Sequence, residues 1–353
     1  MSAAPEEVRL LEASEARLWD ELVDACASTP LFASREWVDR IARAYGGRVR
    51  LVGAFRRGDL VGGAALPVRR RAGLSIATAP YLLPYLPLLA EEGRPETVRG
   101  LLRYLAGRYP LLSLLLPPEG EDVRAFGAEG WELAYRYTLR IDLRGATAES
   151  LLGRMEKSQR RRVRRAEEEG AVVRRSLSSE EHCRLVLASY RRQRKRFPIP
   201  EEEEAGLGRW IVESGRGRVY ELLRGGRTAA TFLIGMDGRR AYSLESGVDW
   251  EIGRGGESAF LLIRILSELA AEGIPEFDFL GVNHPSISRF KESFGGTLAR
   301  YHAAAPPRPF WIRILLRLRG APASLEIAGE GSASRQGPGG DAPRSTGEGR
   351  RSP

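Results

Sequence analysis

Residues Glu156–Gly170 read EKSQRRRVRRAEEEG, with five arginines and one lysine in nine positions, then three glutamates and a glycine. On a helix, Lys157, Arg161 and Arg165 form an outward ridge, with Arg160 and Arg164 as a second ridge beside it, while Leu152, Met155, Val163 and Ala166 face inward. Such a surface either recognises phosphate or is a solvated face partly paired with Glu167–Glu169, in the weaker base-before-acid order. A second basic cluster, Arg191–Arg196, holds five bases in six positions and could converge on the first. Further on, Trp250-Glu251-Ile252-Gly253-Arg254-Gly255-Gly256 leads into an apolar helical pattern. Glycines at a helix entry let an anion approach the backbone N–H groups, and Arg254 could pair with it; the same residues also make an ordinary strand-to-helix turn.

Lys291 stands between Phe290 and Phe294. An ammonium emerging from that apolar collar could stabilise an oxyanion or bind an acceptor phosphate or carboxylate; otherwise it pairs with Glu292. Amide formation also needs a proton acceptor near the amine and a proton donor for the leaving group. Glu245, Asp278, Asn283, His284 and Tyr301 lie at strand ends where they could serve. Glu245, Tyr301 and Lys291 are the catalytic candidates. Asp278 alternates with Phe277 and Phe279 and reads as a buried structural acid, and His284 and His302 read as structural. There is no Ser/His/Asp order and no paired-histidine spacing, so no metal is expected.

The elements that must position these residues occur twice. Ser34–Gly47 is a capped amphipathic helix, followed by two strands around a glycine turn (Val49–Val68), a helix (Pro95–Arg108), an apolar strand (Leu111–Leu116) and a closing strand in Gly127–Leu143. The same order returns as Glu201–Gly215, Arg218–Met236, a strand in RRAYSLESGVDWE, Glu257–Gly273, EFDFLGV and KESFGGTLARYHA. A shift of 168 places Arg50, Arg56 and Gly58 on Arg218, Arg224 and Gly226; a shift of 165 places Gly130, Leu133 and Ala134 on Gly295, Leu298 and Ala299. Order, spacing and turn glycines together point to a duplicated α/β unit. Between the copies, helices are expected over Thr147–Glu169 and Ser179–Phe197, the second stopped by Pro198.

The run Ala72–Ala90 is uncharged, but Pro80, Pro84 and Pro87 would break a membrane helix, leaving a buried strand and cleft wall or a membrane-dipping loop. Pro309–Gly320 has Phe310, Ile314 and Leu318 on one face and Arg313 and Arg317 on another, which suits an interfacial helix or one packed on the domain. From residue 321 the Gly/Ser/Pro/Ala-rich tail is expected to be disordered.

Formal net charge is +9, which favours phosphate-bearing partners or anionic surfaces, although only three lysines occur and arginine is the default base of this chain. Two cysteines exclude a disulfide framework, and the acidic N-terminus lacks the basic start and apolar core of a signal peptide, so a cytoplasmic, reducing location is expected.

These motifs resemble the GNAT acyltransferases, and within them the FemAB-like/BioF2-like (CelD-type) branch with two tandem GNAT units. The resemblance covers about residues 10–302. It is carried by K-x-x-R-x-x-V-R-R-A-x-x-x-G at Lys157, Arg160, Val163, Arg164, Arg165, Ala166 and Gly170, and by F-K-x-x-F-G-G at Phe290, Lys291, Phe294, Gly295 and Gly296. The branch includes peptidoglycan-bridge aminoacyltransferases and acyltransferases of envelope and polysaccharide pathways. The coiled-coil arm of some of the former has no counterpart here.

The resemblance implies an α/β fold with mixed sheets flanked by helices: an N-terminal unit over 1–145, a linking basic helical pair over 146–198, a C-terminal unit over 199–308, the amphipathic segment 309–320 and the tail 321–353. It implies a phosphate-binding loop at Gly253, Arg254, Gly255 and Gly256, with Trp250 at a position where the family has Gln or Arg, and it places Arg160, Arg161 and Arg164 beside the acyl-donor cleft. The implied function is transfer of an acyl or aminoacyl group, from acyl-CoA as co-substrate or from aminoacyl-tRNA, to an amine of an envelope or polysaccharide precursor. No tightly bound cofactor is implied, and the work could take place in peripheral contact with the inner membrane face. The rival is a non-catalytic RNA or envelope-complex binding protein on a decayed acyltransferase fold. Aromatic interleaving typical of single-strand nucleic-acid binding is missing.

Overall fold

The computed structural model describes residues 7–26, 31–71, 73–90, 95–119, 122–253, 255–310, 312 and 314. The first half runs β1 (Glu7–Leu10), α1 (Ala16–Ala25), α2 (Arg35–Ala44), β2 (Arg48–Arg56), β3 (Asp59–Arg71), β4 (Leu74–Thr78), β5 (Leu89–Ala90), α3 (Pro95–Arg108), β6 (Leu111–Leu116), α4 (Arg124–Ala128) and β7 (Glu132–Asp142). Two helices follow, α5 (Ala148–Arg154) and α6 (Lys157–Glu168). The second half runs β8 (Val172–Ser176), α7 (Glu180–Arg192), α8 (Glu201–Glu213), β9 (Gly217–Arg224), β10 (Arg227–Met236), β11 (Arg240–Val248), α9 (Glu257–Ala271), β12 (Glu276–Asp278), α10 (Pro285–Glu292) and β13 (Thr297–Ala305).

All strands share one mixed sheet in the order β1-β2-β3-β4-β6-β13-β7-β12-β11-β10-β9-β8, with β5 on β3. When β1 is matched to β8, β2 to β9, β3 to β10, β4 to β11, β6 to β12 and β7 to β13, this order reads the same from either end. The duplication is thus a two-fold relation within one sheet. The closing strands are exchanged across the centre: β13 pairs with β6 and β7, and β7 pairs with β12. The glycines matched by sequence recur as matched geometry, with Gly58 and Gly226 at φ 86° and 77°, and Gly130 and Gly295 at 71° and 74°. Two cores form: the first lies under the first half and extends to Leu207 and Ile211 of α8 and Leu233 of β10, and α9 fills the second with Phe260, Leu262, Ile263, Leu266 and Leu269, each contributing about 1.5–3 kcal/mol on burial.

The structure corrects several expected boundaries. The helix anticipated over Thr147–Glu169 is broken at Met155 and Glu156, both extended, and the Glu156 N–H donates to the Ser293 carbonyl at 2.9 Å. Gly295 seats this break: a Cβ there would stand 2.4 Å from the Arg154 carbonyl oxygen. The helix expected to run to Phe197 stops at Arg192, before Pro198 acts. Arg194 turns left-handed at φ 54°, and the Arg194 and Lys195 N–H groups donate to Arg191 and Tyr190 carbonyls in a Schellman closure. The edge strands β1 and β8, and helix α1, were not anticipated. Val172–Ser176 is largely exposed and lacks a clean alternation, so only pairing with β9 reveals it. Within the stretch expected to be a linking pair, β8 and α7 hold the places of β1 and α1 in the duplicated order.

The uncharged run is a packed wall. Leu82, Leu83, Tyr85, Leu86, Leu88 and Leu89 are buried, the Leu86 N–H donates to Leu115 at 2.7 Å, and β5 pairs with Gly62 and Gly63. No helix among the described residues is long and apolar enough to cross a membrane. At the far end Ile312 is buried while Phe310 and Ile314 are exposed; the rest of the expected 309–320 helix beyond Pro309 and the tail 321–353 lie outside the described residues.

Candidate active site

The two halves differ where a cleft would open. In the first, β4 and β6 pair over three residues, and the gap beyond is filled by the apolar wall. In the second, β11 and β12 pair in parallel only over Arg240–Tyr242 and Glu276–Asp278. Beyond this β11 continues to Val248 with a bulge at Leu244, whereas the other chain leans away onto β7 through Phe279 N–H to Leu139 and Val282 N–H to Tyr137, both 2.9 Å. Only the second half keeps a splay between these strands. A bulge beside such a splay re-aims side chains and backbone toward a bound group.

The glycine loop closes the upper end of β11, and both basic clusters meet it. Gly256 has φ 117°, and a Cβ there would meet the Arg162 Cβ and carbonyl at 3.0 Å, so α6 lies directly on the loop. From the other side Arg192, in the last turn of α7, stacks 3.9 Å over the Trp250 ring, and Arg184 approaches Asp249 at 3.7 Å. The anion position is already served within the chain: the Glu257 carboxylate accepts from the Gly255 N–H at 2.9 Å and pairs with Arg224 at 3.1 Å, and Arg224 also binds Glu169. Gly253 donates to the Asp249 carbonyl at 2.9 Å. Arg254 lies outside the described residues. On α6, Arg160 donates to the Gly153 carbonyl and Arg165 pairs with Glu169. Arg161, Arg162 and Arg164 are exposed and make no ion pair among the described residues.

Lys291 donates to the Phe279 and Gly281 carbonyls at 2.7 and 2.6 Å, tying α10 to the diverging end of β12. Tyr301 is buried on β13, edge-on to Tyr85 at 5.5 Å, with Asn283 donating to its hydroxyl at 3.4 Å. Asp278 is fully buried and accepts from Thr138 (2.5 Å), Tyr85 (3.0 Å), Arg140 (3.1 Å) and the Leu280 N–H (2.8 Å). It binds the strands together, as its alternation with phenylalanines suggests. Asn283 is spent on the Tyr137 backbone, and His284 caps α10 at the surface. His302 faces Tyr135, its pKa lowered by burial and by Arg300.

Glu245 lies three residues past the last β11 residue paired with β12, and its carboxylate enters a buried polar cluster. His182 Nε2 is 3.4 Å from Glu245 Oε2, and His182 Nδ1 is 3.0 Å from Thr231 Oγ1. Glu204 of α8 is buried in the same cluster, its backbone carbonyl 3.9 Å from the Cys183 thiol, and burial, then the charge of Glu245, push its pKa well up. Tyr81, from the apolar wall, hydrogen-bonds Glu245; Tyr190 hydrogen-bonds Tyr81, and burial raises both phenols. Sequence reasoning found Glu245 but missed its partners. A signal existed: Glu204 lies on one stripe with Leu207, Gly208 and Ile211, and His182 on one with Leu185 and Val186, each a polar group on an inward face. Among the described residues no cluster of His, Cys, Asp and Glu could hold a metal ion.

Residues 153–292 match the family described as an acetyltransferase (GNAT) domain. This region takes in α6, the glycine loop, the splay and α10, so the GNAT match falls on the second half of the chain. No curated protein matches its sequence. Solved structures share the fold of both halves. FemX has a TM-score of 0.64 at 14% identity, covering 88% of this chain and 99% of its own. A structure from Agrobacterium fabrum described as the C-terminal domain of a lysylphosphatidylglycerol synthetase has a TM-score of 0.57 at 14% identity, covering 92% and 99%. A tandem GNAT protein from the clavulanic acid biosynthesis pathway has 0.51 at 15% identity, covering 86% and 99%. The two-unit arrangement is therefore a fold shared with FemX and with the tandem GNAT protein.

Proposed function

We propose that this chain transfers an aminoacyl group, delivered as an ester on tRNA, to a primary amine of a phosphate-bearing cell-envelope precursor. The observation that carries this reading is the convergence of α6 and the end of α7 on the loop above the splay, with Arg161, Arg162 and Arg164 exposed and making no ion pair among the described residues. A long polyanion can lie across such a surface. An acyl-CoA donor fits the glycines, but its pyrophosphate would compete with the Glu257 carboxylate for the Gly255 N–H. The solved relative described as a lysylphosphatidylglycerol synthetase domain is named for an aminoacyl group and a phosphate-bearing acceptor.

In the reaction the amine nitrogen attacks the ester carbonyl, a C–N bond forms, and the ester C–O bond breaks. The amine proton passes to Glu245, at the flank of the splay, and the departing ribose oxygen takes a proton from Tyr301. Lys291 holds the Phe279–Gly281 turn that forms the other flank. Contact with the inner membrane face would bring a lipid-linked acceptor to this cleft.

A thermal-shift titration of the full chain with bulk aminoacyl-tRNA, acetyl-CoA and a long-chain acyl-CoA tests the donor. A ligand at about a hundred times its Kd adds about 2.7 kcal/mol of stability. A saturable shift with tRNA alone supports the reading. A shift with an acyl-CoA alone replaces the donor with a thioester, and no shift with either favours a non-catalytic binding protein.

A further inference from the structure

The cluster around Glu245 contains more acid than its surroundings neutralise. Glu204 and Glu245 are 1% and 4% exposed, and adjacent residues of α7 touch both, with Cys183 Sγ 3.9 Å from the Glu204 carbonyl oxygen and His182 Nε2 3.4 Å from Glu245 Oε2. Glu204 Oε2 and Glu245 Oε1 are buried and find no N–H or O–H donor among the described residues. Two ionised carboxylates in this position would repel in a medium that screens little, whereas one proton between them converts the contact into a hydrogen bond.

The surrounding groups leave that proton as the available remedy. From α7 come His182, on Glu245, and the thiol of Cys183, pushed up to about 12 by burial and by the two glutamates. From α7 also comes Tyr190, from the apolar wall Tyr81, from the end of α2 Tyr45, and from β10 Thr231, which binds the other side of His182. Tyr45, Tyr81 and Tyr190 are all raised, chiefly by burial, and stay neutral. Arg40 of α2 lies over α8 at Gly206, but no arginine or lysine pairs with either carboxyl among the described residues.

We propose that Glu204 and Glu245 form a one-proton carboxyl pair, and that the pair takes up the proton released by the acceptor amine, with Glu204 acting as the positioning partner of Glu245. The second part rests on the acyl-transfer reading above; the first does not. The balance is simple: an N–H bond of the attacking amine breaks, an O–H bond forms on Glu245, and the pair becomes neutral. Burial favours that neutral state, so proton uptake is assisted by the same desolvation that holds the first proton on the pair. Glu204 comes from a helix with no other part in the splay, and its role is to keep Glu245 turned toward His182 and Tyr81 with its charge shared.

Infrared spectroscopy of the full chain at about pH 7.5, where ordinary carboxyls near 4 are ionised, reads the pair directly. The expected result is a protonated-carboxyl C=O band in the wild type that shifts in D2O and is lost in Glu204→Gln. No band in the wild type overturns the pair, and so does a band that persists unchanged in Glu204→Gln. For the relay, the alkaline limb of the rate profile of aminoacyl transfer should move to higher pH in Glu204→Gln, where only the proton donor Tyr301 still sets it, while the acidic limb is kept, with kcat reduced about tenfold and KM unchanged. An unchanged alkaline limb overturns the relay even where the infrared band is present. The glutamine variant keeps the shape of the side chain and supplies an amide donor to Glu245, so a folded protein is expected for both measurements.

Discussion

Arg192 stacks 3.9 Å over Trp250, joining the end of α7 to a glycine loop whose other side rests on Arg162 of α6. Two basic clusters thirty residues apart in the chain thus become one surface, with the loop as its floor. Trp250 stands where a GNAT pattern has Gln or Arg, and it supplies an aromatic shelf that orients a guanidinium toward the loop.

That surface should behave as a polyelectrolyte site. Replacing Arg161, Arg162 and Arg164 together with alanine is expected to weaken tRNA binding and flatten its salt dependence by about 0.7–0.9 per lost phosphate contact. Filter binding across a salt series measures both, and an unaltered slope would remove α6 from the donor site. Trp250→Ala should cost about 0.5–1 kcal/mol of donor affinity by releasing Arg192, with little change in Tm.

Lys291 spends its ammonium on two carbonyls, so its replacement should affect fold and rate together. For Lys291→Met we expect a loss of about 1.5–3 kcal/mol in stability, as for hydrogen bonds to a charged group, and at least a tenfold drop in turnover. Denaturant unfolding and single-turnover transfer check the two parts. A variant with full stability and no activity would return Lys291 to direct contact with the reacting atoms.

The matched glycines Gly130 and Gly295 offer an internal control on backbone geometry. Both have positive φ, but a Cβ at Gly130 meets nothing within 4 Å, while one at Gly295 collides with Arg154 at 2.4 Å. Gly130→Ala should therefore cost about 1–2 kcal/mol, the left-handed penalty alone, and Gly295→Ala about 2–4 kcal/mol. Equal Tm losses for the two variants would contradict the seating of the α5–α6 break on Gly295.

Glu204 has a raised folded-state pKa, caused first by burial and then by Glu245. The sign follows directly: its stabilising contribution is complete below the unfolded carboxyl value of about 4.3 and is lost as pH rises toward the folded value, at up to about 1.4 kcal/mol per pH unit. Glu204→Gln has no such titration. Across neutral to alkaline pH the Tm of the wild type should fall relative to that of the variant, and parallel Tm curves would argue that Glu204 is ionised in the folded state.

The duplicated order was legible because hydrophobic period and turn glycines are local properties. Gly58 and Gly226, and Gly130 and Gly295, sit in the same left-handed turns in both halves. Lys291 was visible for its aromatic collar, but its two carbonyl partners come from a turn ten to twelve residues earlier that only the folded chain brings back. His182 and Glu204 were overlooked because a polar residue on an inward stripe looks, one helix at a time, like an imperfection in an amphipathic pattern. Their meaning appears only when α7 and α8 pack against β11.

The sequence by itself determined the types of the repeated elements other than the edge strands and α1, the repeat itself, the two basic clusters, and that the uncharged run Ala72–Ala90 could not be a membrane helix. These follow from side-chain period, charge and proline chemistry within short windows. Only the tertiary structure decided that the closing strands β7 and β13 exchange places, that the first splay is filled while the second stays apart, and that Glu204 and Glu245 meet. Strand order and burial depend on contacts between residues far apart in the chain, and no local pattern specifies which distant carboxyl will share a buried site.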